Sequence, residues 1–499
     1  MRATCPLPAI LGANTHIIAG IHLGELADAT NWGVRRKSAV LLAPLIIFMA
    51  IRVSEKLNTL ARACGFPLYL VGGAVRDGLA GLESGVTDID ICAPADTEAF
   101  VKAALGCGAS VTAVYRNTGT VKLKFGEEEY EFTSFRSDEY TRGVHRPVNT
   151  FFTDDIRLDA RRRDFKCNAV YYDIKSGEIR DPLGGVKDIK TRTLSTVAEA
   201  EKVFGEDGLR LMRLARQAAQ TGFKPDCECM DGAARNARLI TDISAERIYA
   251  ELNAILHADE KYGVKYGQYN GLEILDKTRV LDCVLPELTA GRGMKQPEAF
   301  HSYDVLEHSL RAVKYAGNGV RLAALLHDIG KPYCKMKNGN YHGHEEESAR
   351  ISDEVCSRLK VPKKLAAETR RLCLLHMYDL RGDARESKIR KLIVKNHDIF
   401  DKLLMIKQAD FSACRDNLSI APCVTRWREI YGRMRDERVP FTVKELKANG
   451  AELIAAGVQP KNTGKICEVL LAECALDGAL NKKERLIKRA LDLQSNGDL

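Results

Sequence analysis

Apolar and polar positions change rhythm once along this chain. In residues 52–64 apolar side chains recur at the spacing of an amphipathic helix. Residues 68–71 (LYLV) form a short apolar run ending in Gly72-Gly73, the pattern of a buried strand and a turn. Alternation in 121–125 and 130–135 predicts two paired strands, with Gly126 and the acidic Glu127–Glu129 at their turn. Residues 169–174 (AVYYDI) predict another strand, closed by Gly177. After Glu206 the period becomes 3.6 residues and strand signals become rare. Pro225, Pro286, Pro297, Pro362 and Pro440 break the rest into helices. The expected class is α+β, a mixed head followed by an all-helical body, without internal repeats.

A length of 499 residues, 45% of them hydrophobic, exceeds what one core needs and implies about three or more domains. The net charge of +8 suits a polyanionic partner without demanding one. Fifteen scattered cysteines form no CxxC pair, which argues against a zinc site or a disulfide framework. Many free thiols point to a reducing compartment, so a cytoplasmic location is expected. Residues 38–51 (SAVLLAPLIIFMAI) follow Arg35, Arg36 and Lys37 but are too short to span a membrane, which takes roughly 20 apolar residues. Met49 is the expected start, with 1–48 a non-native or disordered extension; Met1 is the alternative.

The densest chemistry lies in 68–91, LYLVGGAVRDGLAGLESGVTDIDI. Glycines before a helix let backbone N–H groups approach a phosphate, and Arg76 on the first turn can fork onto it. Asp88 and Asp90 alternate with Ile89 and Ile91, so both carboxylates share one face of a strand. Paired carboxylates suit Mg²⁺, which takes few protein ligands plus substrate phosphates. Glu131 would supply a third carboxylate; Glu129 shares its face and competes. A lone D-x-D is more often a solvated strand face, but the glycine turn just before it favours a metal site.

Two further segments are rich in arginine. Residues 159–170 read DARRRDFKCNAV, and the Asn168 amide could both donate to and accept from a ribose hydroxyl. In 206–216 (EDGLRLMRLAR), Asp207, Arg210, Arg213 and Arg216 recur every three residues along one helical stripe. Taken alone, such a stripe is more often a surface ion-pair ladder.

The ordered set VGGAVRD…DIDI…RRDF…EDGLR resembles the class II tRNA nucleotidyltransferases and related bacterial poly(A) polymerases, of the polymerase-beta-like nucleotidyltransferase superfamily. The resemblance implies two Mg²⁺ on Asp88 and Asp90, with Glu131 as a weaker third acid. It implies NTP contacts from Gly72, Gly73, Arg76, Arg163, Asp164 and Asn168. It also implies that Asp207 and Arg210, continued by Arg213 and Arg216, read C and A in place of a template. Lys166 and Cys167 depart from the usual residues of the RRDF motif. The segment 136–158, with Arg142, Arg146 and Pro147, resembles the loop used in switching from C to A addition. DPLGGVKD (181–188) and AERIYAELNAIL (245–256) resemble the family's third and fifth motifs, and 441–499 its tRNA-gripping tail.

A third constellation gathers His301, Asp304, His308, His327, Asp328, His342, His344, His376 and Asp410. More than half of the eleven histidines fall in 301–376. ALLHDIGK resembles the HD superfamily of metal-dependent phosphohydrolases, which implies a second divalent metal (Mn, Ni or Fe) on His308, His327, Asp328 and Asp410, with His344 and His376 weaker candidates. The expected activity is template-independent addition of CCA to tRNA from CTP and ATP. The alternatives are a poly(A) polymerase, an A-only or C-only enzyme, and an HD phosphohydrolase acting on RNA ends. Expected domains are a nucleotidyltransferase head (49–190), an RNA- and nucleotide-binding neck (191–270), an HD domain (271–430) and a tRNA-binding tail (431–499).

Overall fold

The structure, a computed structural model, describes residues 51–82, 88–140 and 148–495, with residue 88 as backbone only. The extension 1–48 and the loop residues Arg142, Arg146 and Pro147 lie outside the described residues.

Helix α1 (Glu55–Ala63) is capped by the Ser54 hydroxyl, which accepts from Leu57 N, and buries Leu57, Leu60 and Ala61. A seven-stranded sheet follows in the order β3-β4-β5-β2-β1-β8-β9. Its strands are β1 (Tyr69–Leu70), β2 (Asp88–Ala93), β3 (Ser110–Tyr115), β4 (Thr120–Phe125), β5 (Glu128–Ser134), β8 (Tyr171–Asp173) and β9 (Ile179–Arg180). The predicted hairpin is β4–β5, antiparallel around Gly126, which sits at φ +60°. Alternation buries Val121, Leu123 and Phe125 while exposing Lys122 and Lys124. The buried face packs on α2 (Gly73–Ala80) and α3 (Thr97–Gly106), and Phe100 stacks on Phe132 with ring centroids 3.7 Å apart.

Within this sheet only β2 and β5 pair in parallel, and their register sets Asp88 beside Glu129 and Asp90 beside Glu131. The crossover between them is α3, β3 and β4, of which α3 and β3 went unpredicted. The described flanks of the arginine-rich loop pair as a separate hairpin, β6 (Arg136–Glu139) with β7 (Asn149–Phe152).

Beyond the head the described residues are helical, apart from a parallel pair of two-residue strands, Thr193–Leu194 with Lys224–Pro225. Helix α4 (Ala200–Glu206) leads into α5 (Leu209–Thr221), whose apolar face buries Leu211, Met212, Leu214, Ala215 and Ala218. It packs on α6 (Ala245–Leu256) and α7 (Gly267–Lys277), and α7 packs in turn on α8 (Val305–Tyr315). Around α8 lie α9 (Arg321–Leu326), α10 (His344–Arg358), α11 (Lys363–Leu375) and α12 (Phe400–Arg415). The end of the chain is α13 (Pro422–Asp436), α14 (Pro460–Cys474) and α15 (Lys483–Ser495), with Trp427 fully buried. No helix among the described residues is long and apolar enough to cross a membrane.

Candidate functional site

A cavity of about 650 Å³ opens where the polar face of the sheet meets α5. Gly72, Gly73, Arg76, Asp90, Glu131, Arg163, Asp164, Asn168, Asp207, Arg210, Arg213 and Arg216 all line it. The structure thus gathers every residue proposed for nucleotide binding, drawn from five segments of chain. For Asp88 the register alone places its backbone on the same strand.

Gly72 stands at φ +73°, and a Cβ there would meet Asp90 Oδ2 at 2.9 Å. Both facts demand glycine, and they set the turn into α2 against the acidic strand. Across the parallel pair Glu131 lies abreast of Asp90, with Lys122 3.3 Å from its carboxylate. Lys124 and Glu129 pair likewise at 2.5 Å. These lysines escaped the sequence reading; their signal is the alternation of β4, which puts both on its polar face. The donors on this edge are hard carboxylate oxygens, the chemistry Mg²⁺ prefers.

Behind the edge lies a buried polar net. Arg76 donates through Nε to Asp77 at 2.8 Å, and through Nη1 to Asn168 Oδ1 at 2.9 Å and Gln217 Oε1 at 3.1 Å. The Tyr262 hydroxyl also donates to Asp77. Asp164 accepts from Arg213 Nε and Nη2 at 2.8 and 2.6 Å, from Asn168 Nδ2 at 2.9 Å, from Phe165 N at 2.8 Å and from Gln217 Nε2 at 3.2 Å. Burial opposes its ionisation, but the Arg213 charge and these donors outweigh burial and hold the Asp164 carboxyl well below the usual range. Arg163 and Arg162 are anchored on buried Asp159, which the Tyr171 hydroxyl also donates to at 2.7 Å.

Asp207 is not on the helix with the arginines. It sits in extended backbone between α4 and α5, and its carboxylate accepts from Leu209 N at 3.0 Å. Arg210 donates through Nη1 to Val203 O and Glu206 and through Nη2 to Arg162 O, leaving Nε–H and one Nη2–H. The Tyr140 ring lies over its guanidinium, 5.6 Å to the centroid. Arg216 pairs with Glu251 of α6 at 2.6 Å. The ladder is therefore bolted to its surroundings rather than solvated. Gln217 was missed; its trace in the sequence is its place four residues after Arg213, on the arginine face of α5.

A second cluster lies inside the helices α8 to α12. His308 Nε2 is 3.1 Å from His327 Nε2, 3.3 Å from Asp328 Oδ2 and 3.0 Å from Asp410 Oδ1. On the other side of the same carboxylate, Asp328 Oδ1 is 3.2 Å from His344 Nε2 and 3.6 Å from His376 Nε2. The Nδ1 atoms of His327, His344 and His376 lie 2.8, 2.8 and 2.6 Å from the carbonyls of Ala324, Tyr341 and Cys373. Each Nδ1 thus takes the proton, and each Nε2 lone pair points inward. Asp328 Oδ1, His344 Nε2 and His376 Nε2 are buried without a hydrogen-bond partner. Such orphans cost about 1–3 kcal/mol each, so the donor set fits a divalent cation. Burial and the neighbouring His308 push the His301 imidazole down to about 4. Lys331 Nζ, unforeseen, reaches Asp328 Oδ2 at 2.6 Å and Gln296 Oε1 at 2.8 Å.

Comparison with known proteins follows this division. Residues 68–195 match the Poly A polymerase head domain, 222–291 the probable RNA and SrmB-binding site of polymerase A, and 299–403 the HD domain. The chain is 31% identical over 326 residues to the multifunctional CCA protein of Teredinibacter turnerae, covering 62% of this chain and 74% of that protein. It is 29% identical over 367 residues to the A-adding tRNA nucleotidyltransferase of Deinococcus radiodurans, covering 69% of this chain and 76% of that one. Its match to the CCA-adding enzyme of Streptococcus uberis spans only 49% of that relative's length. The fold matches the crystal structure of the Bacillus stearothermophilus CCA-adding enzyme in complex with CTP, with TM-score 0.62, 21% identity, and 89% and 99% of the two chains covered. With a 31% identical relative matched over 74% of its length, and family models on both the head and the HD region, this chain belongs to the family of CCA-adding tRNA nucleotidyltransferases.

Proposed function

We propose that the protein adds CCA to the 3′ end of tRNA from CTP and ATP, without a template strand. The observation that carries this reading is one cavity bounded by a phosphate turn, an acidic strand edge and an arginine ladder. Asp88, Asp90 and Glu131 would hold divalent metal, two Mg²⁺ ions in this reading. When bound, the metal supplies neutralisation of triphosphate charge and a more acidic attacking hydroxyl.

The chain's own residues do the rest. Gly73 N–H and Arg76 hold the triphosphate at the start of α2. Arg163, Asp164 and Asn168 hold the ribose end. Asp207 offers an acceptor and Arg210 its two remaining N–H groups, a pattern that can pair with a base edge. Arg213 and Arg216 keep that edge and the phosphates in line. The division into head (49–190), neck (191–270), HD domain (271–430) and tail (431–499) is the functional one in this reading.

A second activity is favoured by the geometry of Asp328, whose two oxygens face two different pairs of imidazoles. Asp328 would offer one oxygen to each of two cations, each completed by two imidazoles. We infer a two-metal HD centre on His308, His327, Asp328, Asp410, His344 and His376, suited to hydrolysis of phosphates on RNA ends.

The test supplies tRNA transcripts ending at the discriminator base, at C and at CC with CTP, ATP or both, and maps products at single-nucleotide resolution. Orderly growth that stops at CCA is expected. Addition of A only to CC ends would move the protein to the activity its Deinococcus relative is named for. Open-ended adenylation would make it a poly(A) polymerase.

A further inference from the structure

We propose that Gln217 positions Arg76 and Asn168, and thereby sets how strictly the nucleotide site demands ribose over deoxyribose. The proposal rests on Asn168 as the sugar-reading residue. Gln217 is buried on α5, four residues beyond Arg213. Its side chain bonds residues 76, 164 and 168, which come from α2 and from the segment before β8. Oε1 accepts from Arg76 Nη1 at 3.1 Å and from Asn168 Nδ2 at 2.9 Å; Nε2 donates to Asp164 Oδ2 at 3.2 Å.

The amide can point only one way. Turned over, it would set N–H against the Arg76 and Asn168 N–H groups and an oxygen against the Asp164 carboxylate. Its orientation fixes that of Asn168 in turn. Both Asn168 amide hydrogens are engaged, on Gln217 Oε1 and Asp164 Oδ1. Asn168 Oδ1 accepts from Arg76 Nη1 at 2.9 Å, with the Cys167 thiol at 3.8 Å. An amide held this way keeps its oxygen on a defined side, where a sugar hydroxyl would compete only with the long thiol contact, and it cannot swap that oxygen for a donor.

Four of the five Arg76 N–H groups are committed, on Asp77, Asn168 and Gln217. The remaining one is on Nη2, 3.6 Å from where a Gly73 Cβ would stand, at the phosphate turn. One side chain on the helix of the arginine ladder thus orients both the phosphate-facing arginine and the sugar-facing amide. Sites built around a substrate hydroxyl reject the analogue lacking it by large factors, and the rejection depends on the partner staying in place.

The test measures kcat/KM for the first addition with CTP and dCTP on a tRNA transcript ending at the discriminator base, for wild type, Gln217→Ala, Gln217→Asn, Gln217→Glu and Asn168→Ala. Gln217→Ala is expected to lower the CTP/dCTP ratio by about tenfold or more. Gln217→Asn, whose shorter amide cannot span both partners and which the cavity can hydrate, should lose the ratio even if the alanine variant fails to fold. Gln217→Glu keeps an acceptor for Arg76 and Asn168 but turns the donor to Asp164 into a second carboxylate oxygen, so it too should lower the ratio. A merely structural role would slow both nucleotides equally. An unchanged ratio in the folded Gln217 variants, beside a lost ratio in Asn168→Ala, overturns the positioning role and leaves the sugar reading standing. An unchanged ratio in Asn168→Ala as well overturns both.

Discussion

Replacing Asp164 by alanine tests the buried charge net behind the cavity. In wild type its carboxylate accepts from four residues, with Arg213 as counter-ion at 2.6 Å. Removing one partner of a buried ion pair costs about 3–5 kcal/mol. The Arg213 side chain is 37% exposed to the cavity, so water recovers part of that and about 2–3 kcal/mol remains. At about 2–4 °C per kcal/mol for a unit of this size, melting should fall by about 4–12 °C. Circular dichroism or dye-based melting measures this. Arg213→Ala added to Asp164→Ala should restore about 1 kcal/mol or more, because the stranded guanidinium goes with it. The pH dependence has a fixed sign. The folded carboxyl titrates below its unfolded value, so its contribution is complete above pH ~4 and is lost only as pH falls further. The gap between wild type and Asp164→Ala should therefore be flat from pH 8 to about pH 5. A variant melting within a degree of wild type, or a double mutant no better than the single, would refute the reasoning.

Asp90→Ala should cut nucleotide incorporation by about 10³-fold or more without lowering the melting temperature, since it removes one of two adjacent carboxylates; single-turnover incorporation and a melt read the two effects. Gly72→Ala should destabilise by about 1–2 kcal/mol and depress incorporation, because φ is +73° and the new Cβ would press on Asp90; a denaturant titration beside the incorporation assay checks it. In the HD centre, elemental analysis after Mn²⁺ or Ni²⁺ reconstitution should find two ions per chain beyond the head's own. Asp328→Ala should lose both, and His344→Ala with His376→Ala only one. One ion in wild type would sink the bridged reading. Chelation should lower the melting temperature, and metal should restore it.

How much of this was legible depended on sequence distance. The glycine turn, the alternation of Asp88 and Asp90, the three-residue rhythm of Arg210, Arg213 and Arg216, and the His327-Asp328 pair are local patterns. Each follows from the geometry of one strand, turn or helix, so the sequence by itself determined them, along with the α+β order and the family. The hairpin of β4 and β5 was also readable, because its turn and alternation lie within fifteen residues. What only the tertiary structure decided was who faces whom. Glu131 stands beside Asp90 because β5 pairs with β2 in parallel, across a crossover of α3, β3 and β4 whose register no local period encodes. Asp207 left the helix because its carboxylate accepts from Leu209 N just ahead of α5. Gln217 joined Arg76 and Asn168 across 141 and 49 positions of chain, and Asp328 came to divide its two oxygens between four histidines from four helical segments. Periodicity fixes the face on which a side chain emerges; packing of distant faces fixes its partner, and in both centres the chemistry resides in the partners.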